Sequence, residues 1–190
     1  MLNAKKLVIL AIFLLLAAVL YFSSMIHARY QRSEVEYQIP EVTLYNQQGQ
    51  PVELRSYLAS DKPIMLEFIF TSCTTLCPNQ AVKFAKFQKK LAPEIEQVQL
   101  VSITVDPETD TPEVLRHYLQ QFHAQPGWDF LTGSKQDIKQ VMTAFGIKAS
   151  DMITHDSSLL LRAPKTGQWT RIDGQLETGD FLLEYQLLQE

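Results

Sequence analysis

The chain has 190 residues, with 17 basic and 21 acidic side chains; four of the basic ones (Lys5, Lys6, Arg29, Arg32) lie in the first 32 residues, which hold no acid. Residues 33–190 therefore carry 13 basic and 21 acidic groups, a formal charge of −8, which argues against a nucleic-acid partner, because that binding needs a basic face to displace counterions. Two cysteines cannot build a disulfide-rich scaffold or a four-cysteine zinc site, and ordinary apolar content without repeats or low-complexity tracts argues against disorder and repeat arrays.

Leu7 to Phe22 reads LVILAIFLLLAAVLYF, sixteen residues whose one polar group is the Tyr21 hydroxyl, and continuing to Ile26 gives twenty. A bilayer core takes about 20 residues of helix, so the run predicts a single-pass anchor. Lys5 and Lys6 before it predict a cytoplasmic N-terminus, with the following domain on the periplasmic side of the inner membrane. A cleaved signal peptide is the rival, but its apolar region is normally shorter, and Ser24-Met25-Ile26 is no small-x-small site. The predicted organisation is an anchor over 1–32, a tether over 33–40 and one domain over 41–190. An exported domain is one in which two cysteines can form a disulfide.

Within that domain, Glu41–Tyr45, the turn Asn46-Gln47-Gln48-Gly49-Gln50 and Pro51–Leu54 predict a β-hairpin. Ile64–Phe70 is a mostly apolar run suited to a buried central strand. Pro78–Leu91 places Ala81, Phe84, Ala85, Phe87 and Leu91 on one helical face. Val98–Val105 is a second buried strand. Thr111 as N-cap with Pro112 behind it opens a helix through Leu115, Tyr118, Leu119 and Phe122. Trp128–Leu131 is a short strand. Ser134 caps a helix with Ile138, Val141, Met142 and Phe145 inward and Gly146 at its end. Ser157–Arg162 and Gln168–Ile172 form a second hairpin, and Thr178–Leu188 is a closing helix. This order predicts an α/β domain, a central sheet with helices on both faces.

The chemistry gathers at Phe70-Thr71-Ser72-Cys73-Thr74-Thr75-Leu76-Cys77-Pro78, on the connection from the central strand to the first helix. Open α/β sheets place their sites in such loops. If the stretch is coiled as a helical turn, a spacing of four brings both sulfurs to one face, able to close a disulfide or hold a soft metal ion, and a helix N-terminus favours thiolate over thiol. The plain alternative is a structural disulfide or two buried thiols. Copper(I) on two thiolates takes a third ligand, for which imidazole is suitable. Of the four histidines, His27 is in the anchor region, and His117 and His123 lie on or beside the helix after Pro112. His155 stands in a loop just before an apolar strand, where it can face the cysteine loop. Asp106 and Asp110 read as turn and helix-cap residues, with proton transfer near a thiol as the functional alternative.

Taken with Ser102-Ile103-Thr104-Val105-Asp106-Pro107-Glu108-Thr109-Asp110-Thr111-Pro112-Glu113, Leu131-Thr132-Gly133-Ser134 and His155-Asp156-Ser157-Ser158, the cysteine segment resembles the Sco/SenC family in order and intervals over residues 36–190. The resemblance implies a thioredoxin-like fold with an extra N-terminal β-hairpin, preceded by a transmembrane anchor. It implies copper, as Cu(I) with Cu(II) left open, bound through Cys73, Cys77 and His155. It implies work on the dinuclear copper centre of cytochrome c oxidase as metallochaperone, as thiol reductant with Cys73 and Cys77 as the redox pair, or both. The implied partners are the oxidase subunit that carries the copper centre and a copper-donor or thiol-reductant protein. The chain departs from the family pattern at Glu67, usually apolar, aromatic or amide, at Thr154, often Asp, and in the turn 163–167. A membrane-anchored thiol–disulfide oxidoreductase and a thiol peroxidase are the competing functions. The peroxidase would use Thr74 or Ser72 beside the attacking cysteine, and it lacks a convincingly placed arginine.

Overall fold

The structure, a computed structural model, describes residues 4–27, 30–74, 76–92, 94–148 and 158–189. The first element is α1 (Ala4–His27), whose described side chains, Lys6 and residues 9–21, are all exposed. Among the described residues no helix is long and apolar enough to cross a membrane. By its sequence pattern alone Leu7–Phe22 remains the anchor candidate.

One eight-stranded sheet organises the rest, in the order β1-β8-β7-β4-β5-β6-β2-β3. Its centre is three parallel strands, β4 (Ile64–Ile69), β5 (Gln99–Thr104) and β6 (Trp128–Thr132). On one side β7 (Ser158–Arg162) runs antiparallel to β4, followed by β8 (Trp169–Gly174) and β1 (Tyr30–Val35). On the other side the predicted N-terminal hairpin, β2 (Thr43–Asn46) and β3 (Pro51–Glu53), adds antiparallel to β6. Its turn is closed by Asn46, whose Oδ1 accepts from the Gln48 and Gln50 amides at 3.0 and 2.9 Å, and by Gly49 at φ 76°.

Every residue of β4 is buried, so successive side chains feed two different cores. Ile64, Leu66 and Phe68 join Val101, Ile103 and Leu160 under α5 (Lys135–Ala144) and the short α2 (Leu54–Tyr57). Met65 and Ile69 join Leu100, Leu159 and Leu161 under α3 (Leu76–Leu91), α4 (Pro112–Gln121) and α6 (Thr178–Gln189). Helices thus cover both faces. The expected caps are present: Thr111 Oγ1 accepts from the Val114 amide at 3.4 Å, with Pro112 at the first helical position, and Ser134 Oγ accepts from the Asp137 amide at 3.1 Å.

The structure adds a strand that the sequence pattern does not show. β1 takes in the first three residues of the stretch read as a tether and pairs along its whole length with β8, from Tyr30↔Gly174 to Val35↔Trp169. Its residues are mostly exposed and do not alternate in polarity, because it is an edge strand held by one neighbour.

Candidate metal centre

β4 ends at Ile69, and the chain turns at Thr71 and Ser72 into α3. The Cys73 amide donates to Phe70 O at 3.2 Å, which closes the turn. The Cys77 amide then donates to Cys73 Sγ at 3.4 Å, so the first sulfur sits over the opening turn of α3, close to the second residue of the pair. Cys73 is half-buried, Cys77 is buried, and no disulfide joins them.

The two thiols differ in environment. The helix N-terminus was expected to favour thiolate at both. At Cys77 burial wins: desolvation pushes its thiol well above the ordinary range, opposed by a hydrogen bond with the Phe70 backbone, with Cys73 and Glu67 adding to the rise. Cys73 is the accessible sulfur of the pair.

The loop is held from the side by Asp110, which is fully buried. Its carboxylate accepts from the Thr71 amide (3.1 and 3.3 Å to its two oxygens), from the Thr71 hydroxyl and from the Thr104 hydroxyl. The Thr104 oxygen in turn accepts from the Asp106 amide at 3.0 Å. Asp110 was expected to help cap α4 and does not: Thr111 caps the helix, and Asp110 clamps the root of the cysteine loop to the end of β5. Asp106 does form the expected turn, its carbonyl accepting from the Thr109 and Asp110 amides at 3.2 and 2.9 Å.

Beneath the pair lies a polar chain inside the core. Ser102 on β5 donates to Glu67 Oε1 at 2.7 Å, and the Trp128 indole donates to Ser102 Oγ at 2.9 Å. Glu67 is 2 % exposed, and among the described residues its Oε2 has no hydrogen-bond partner. Burial, opposed by the Ser102 hydrogen bond and by Lys83, raises its carboxyl to about 8, so it is mostly protonated at neutral pH. Tyr118 of α4 reaches the same region with a buried hydroxyl that also lacks a partner among the described residues. The sequence marks Tyr118 only as an apolar helix position, and its role as a polar neighbour of the sulfurs becomes visible only in three dimensions.

The third expected ligand, His155, lies outside the described residues, as do Asp151, Thr154 and Asp156. The strand that follows is described. Ser158 opens β7, which runs antiparallel to β4 with Glu67 opposite Leu159, so β7 begins at the sheet end where β4 passes into the cysteine loop. His117 is an exposed helix residue 3.9 Å from Glu113, and His123 is exposed at φ 53°; neither joins the site. Among the described residues no three Cys, His, Asp or Glu side chains gather as a metal site. Arg55, Arg162 and Arg171 bond to Ile39 and Glu41, to Ser60, and to Asp173 and Phe145, so none of them supplies the arginine a peroxidase would want at Cys73. Hollows of about 410, 380 and 600 Å³ surround Gly127, at the end of the sheet where the parallel strands begin, opposite the cysteines, and their lining holds no thiol or imidazole.

The family model described as SCO1/SenC matches residues 31–183. The chain belongs to the SCO1/SenC family. The SCO1 protein homolog of Bacillus subtilis is 32 % identical over 141 residues, 70 % of this chain and 72 % of that protein. The solved structure of BsSco, a member of the Sco family of cytochrome c oxidase assembly proteins in which a disulfide switch was identified, superposes with TM-score 0.66 at 29 % identity, covering 82 % of this chain and 95 % of that one. Arabidopsis thaliana ScoI, solved with copper bound, superposes with TM-score 0.59 at 25 % identity over 75 % of this chain and 94 % of its own. The sheet of this SCO1/SenC chain is thus the thioredoxin-like Sco fold.

Proposed function

We propose that this protein is a copper(I) carrier that serves assembly of the dinuclear copper centre of cytochrome c oxidase, taking the ion on Cys73, Cys77 and His155. Copper is the ion the donor set fits: two thiolates select a soft monovalent ion, and an imidazole completes a three-coordinate site. The observation that carries the reading is the pair itself, unbridged, with the Cys77 amide 3.4 Å from the Cys73 sulfur at the mouth of α3. His155 is three residues before Ser158, and three residues of chain span at most about 11 Å, a reach that supports bringing an imidazole to the sheet end that carries the cysteines.

In this reading the half-buried Cys73 meets the incoming ion first and the buried Cys77 closes over it. Loading releases the Cys77 proton, which burial otherwise holds on the sulfur. Asp110 fixes the loop so that the two sulfurs need little rearrangement. The partner that receives copper is the oxidase subunit that carries the centre; a copper-donor or thiol-reductant protein supplies the other side of the exchange. The apolar run Leu7–Phe22 anchors the chain in the inner membrane with residues 41–190 in the periplasm.

A second reading is supported by the same unbridged pair: Cys73 attacks a disulfide of the partner and Cys77 resolves the mixed disulfide, leaving the partner's cysteines reduced and this pair oxidised. The test is Cu(I) retention by the reduced full chain against a moderate colorimetric chelator, without oxygen. One equivalent held by the wild type, and lost in Cys73→Ser, Cys77→Ser and His155→Ala, supports the carrier. Retention unchanged by His155→Ala removes the imidazole from the site, and a wild type that holds no copper sinks the carrier and leaves the reductant.

A further inference from the structure

Leu183 and Leu187 stand one turn apart on α6 and are 49 and 37 % exposed, on the face that points away from the sheet. Phe181 and Tyr185, on the inward side of the same helix, pack on Phe87 of α3 at 6.3 and 5.8 Å between ring centroids, so the second half of α3 runs beside those leucines. That half is basic. α3 carries Lys83, Lys86, Lys89 and Lys90 and no acid, although residues 33–190 have a formal charge of −8. Lys86, Lys89 and Lys90 are exposed and have no ion-pair partner among the described residues. Of the two acids on α6, Glu184 is buried and taken up by Tyr30 and Arg32, and Asp180 accepts from the Glu177 amide at 2.7 Å at the start of the helix. Exposed leucines beside unpaired lysines match a surface of anionic headgroups over apolar chains.

The chain leads to this face. α1 runs to His27 and β1 begins at Tyr30, so seven residues separate Phe22, the end of the apolar run, from the first strand of the domain. Even extended they span at most about 25 Å, against a radius of about 20 Å for a domain of this size. The side of the domain that holds β1 is thus kept at the bilayer, and β1 meets α6 between the two leucines, where Tyr30 Oη donates to Glu184 at 3.1 Å. We propose that the outward face of α3 and α6, Lys86, Lys89 and Lys90 with Leu183 and Leu187, lies on the anionic headgroup surface of the membrane that carries the anchor. The inference rests on the reading of Leu7–Phe22 as that anchor. Cys77 stands at the opposite end of α3 from Lys89, about 18 Å away along the helix, so contact through the lysine half leaves the cysteine end open to a partner.

The test uses the full chain with Cys73→Ser and Cys77→Ser, reconstituted in phosphatidylcholine vesicles containing about one third phosphatidylglycerol. A fluorophore is attached at Leu183→Cys or, as a control, at Gln140→Cys on the exposed side of α5, across the sheet. Lipids with a nitroxide headgroup should quench the label at 183 at least about threefold more than the label at 140. Leaving out phosphatidylglycerol, raising the salt, or combining Lys86→Gln, Lys89→Gln and Lys90→Gln should each cut that difference by about half or more. Each of these five positions is exposed, so the packing beneath them is left intact. A difference that none of the three changes moves overturns the anionic surface as the partner. If the chain floats with the vesicles and both labels are quenched equally, the face is open to water or to a protein and this inference fails alone; if the chain does not float with them, the anchor reading fails and this inference with it.

Discussion

Asp110 and Thr71 stand 39 positions apart and share a carboxylate grip in which both the amide and the hydroxyl of Thr71 donate to Asp110. Thr71 is two residues before Cys73, so this contact sets where the cysteine loop leaves the sheet. Asp110→Ala leaves the Thr71 amide and the Thr71 and Thr104 hydroxyls facing a hole in the core, and charge-assisted hydrogen bonds of this kind are worth about 1.5–3 kcal/mol each without being additive. The expected loss is roughly 3 kcal/mol in urea unfolding, with faster alkylation of Cys77 in the native protein as the loop loosens. Asp110→Asn, which keeps one acceptor oxygen, should lose less. Unchanged stability and unchanged Cys77 protection in Asp110→Ala would sink the clamp.

Glu67 gives the fold a pH dependence with a defined sign. Burial raises its carboxyl from the ordinary 4.5 to about 8 in the folded protein. The folded state therefore binds a proton that the unfolded state releases as pH rises. The contribution to stability is fully present below pH 4.5, declines as pH rises toward about 8, and is flat above that. The size is on the order of a few kcal/mol across the window. Glu67→Gln removes this titration, so the difference in unfolding free energy between variant and wild type, metal-free, should shift in the variant's favour from pH 5 to pH 8. A difference that stays constant across that range would show that Glu67 ionises in the fold at its ordinary value.

How far the molecule could be read from its residues depends on how local the deciding forces are. Thr111-Pro112 and Ser134 mark helix starts through contacts within four residues, and the structure has both caps. The apolar runs that became β4 and β5 are buried on both faces, so their composition alone announces central strands. The placement of Cys73 between β4 and α3 was legible for the same reason, whereas Cys77, expected on the same connection, is the second residue of the helix. The protonation of Cys77 was not legible: a helix start is a local feature that favours thiolate, while the desolvation that overrides it comes from distant chain packed around the sulfur. The grip of Asp110 on Thr71, the orphaned Tyr118 hydroxyl and strand β1 are likewise products of pairing across long sequence separations, with no periodicity to betray them.

Ser102 is the middle of the buried polar chain, donating to Glu67 and accepting from Trp128, whose ring stacks on Phe84 of α3 at 5.2 Å. Ser102→Ala leaves the indole hydrogen without an acceptor and Glu67 Oε1 without its donor. Two buried groups stripped in this way cost about 2–4 kcal/mol together. The measurement is denaturant unfolding followed by tryptophan fluorescence. Because Ser102 reaches the site through Glu67, copper retention by the folded variant should change little. A variant as stable as the wild type would mean that the chain of hydrogen bonds is idle.

The edge strand β1 bears on where the folded domain begins. Tyr30 Oη donates to Glu184 Oε1 at 3.1 Å, and Arg32 Nε lies 3.6 Å from Glu184 Oε2. Glu184 is buried on α6; desolvation raises its carboxyl, and Arg32 and Tyr30 oppose the rise. A chain that starts at Glu36 loses both groups and also exposes the full hydrogen-bonding edge of β8, whereas a chain that starts at Ala28 keeps them. Removing the partners of a buried carboxyl is costly because the group left behind has neither water nor a donor. The strand pairing adds to this, while the exposure of Arg32 subtracts from its share. The shorter chain should unfold at lower urea, by about 2–4 kcal/mol, and self-associate through the bared edge of β8. If both chains unfold at the same urea concentration and stay monomeric in sedimentation, β1 is an ornament of the tether, with no part in holding the domain together.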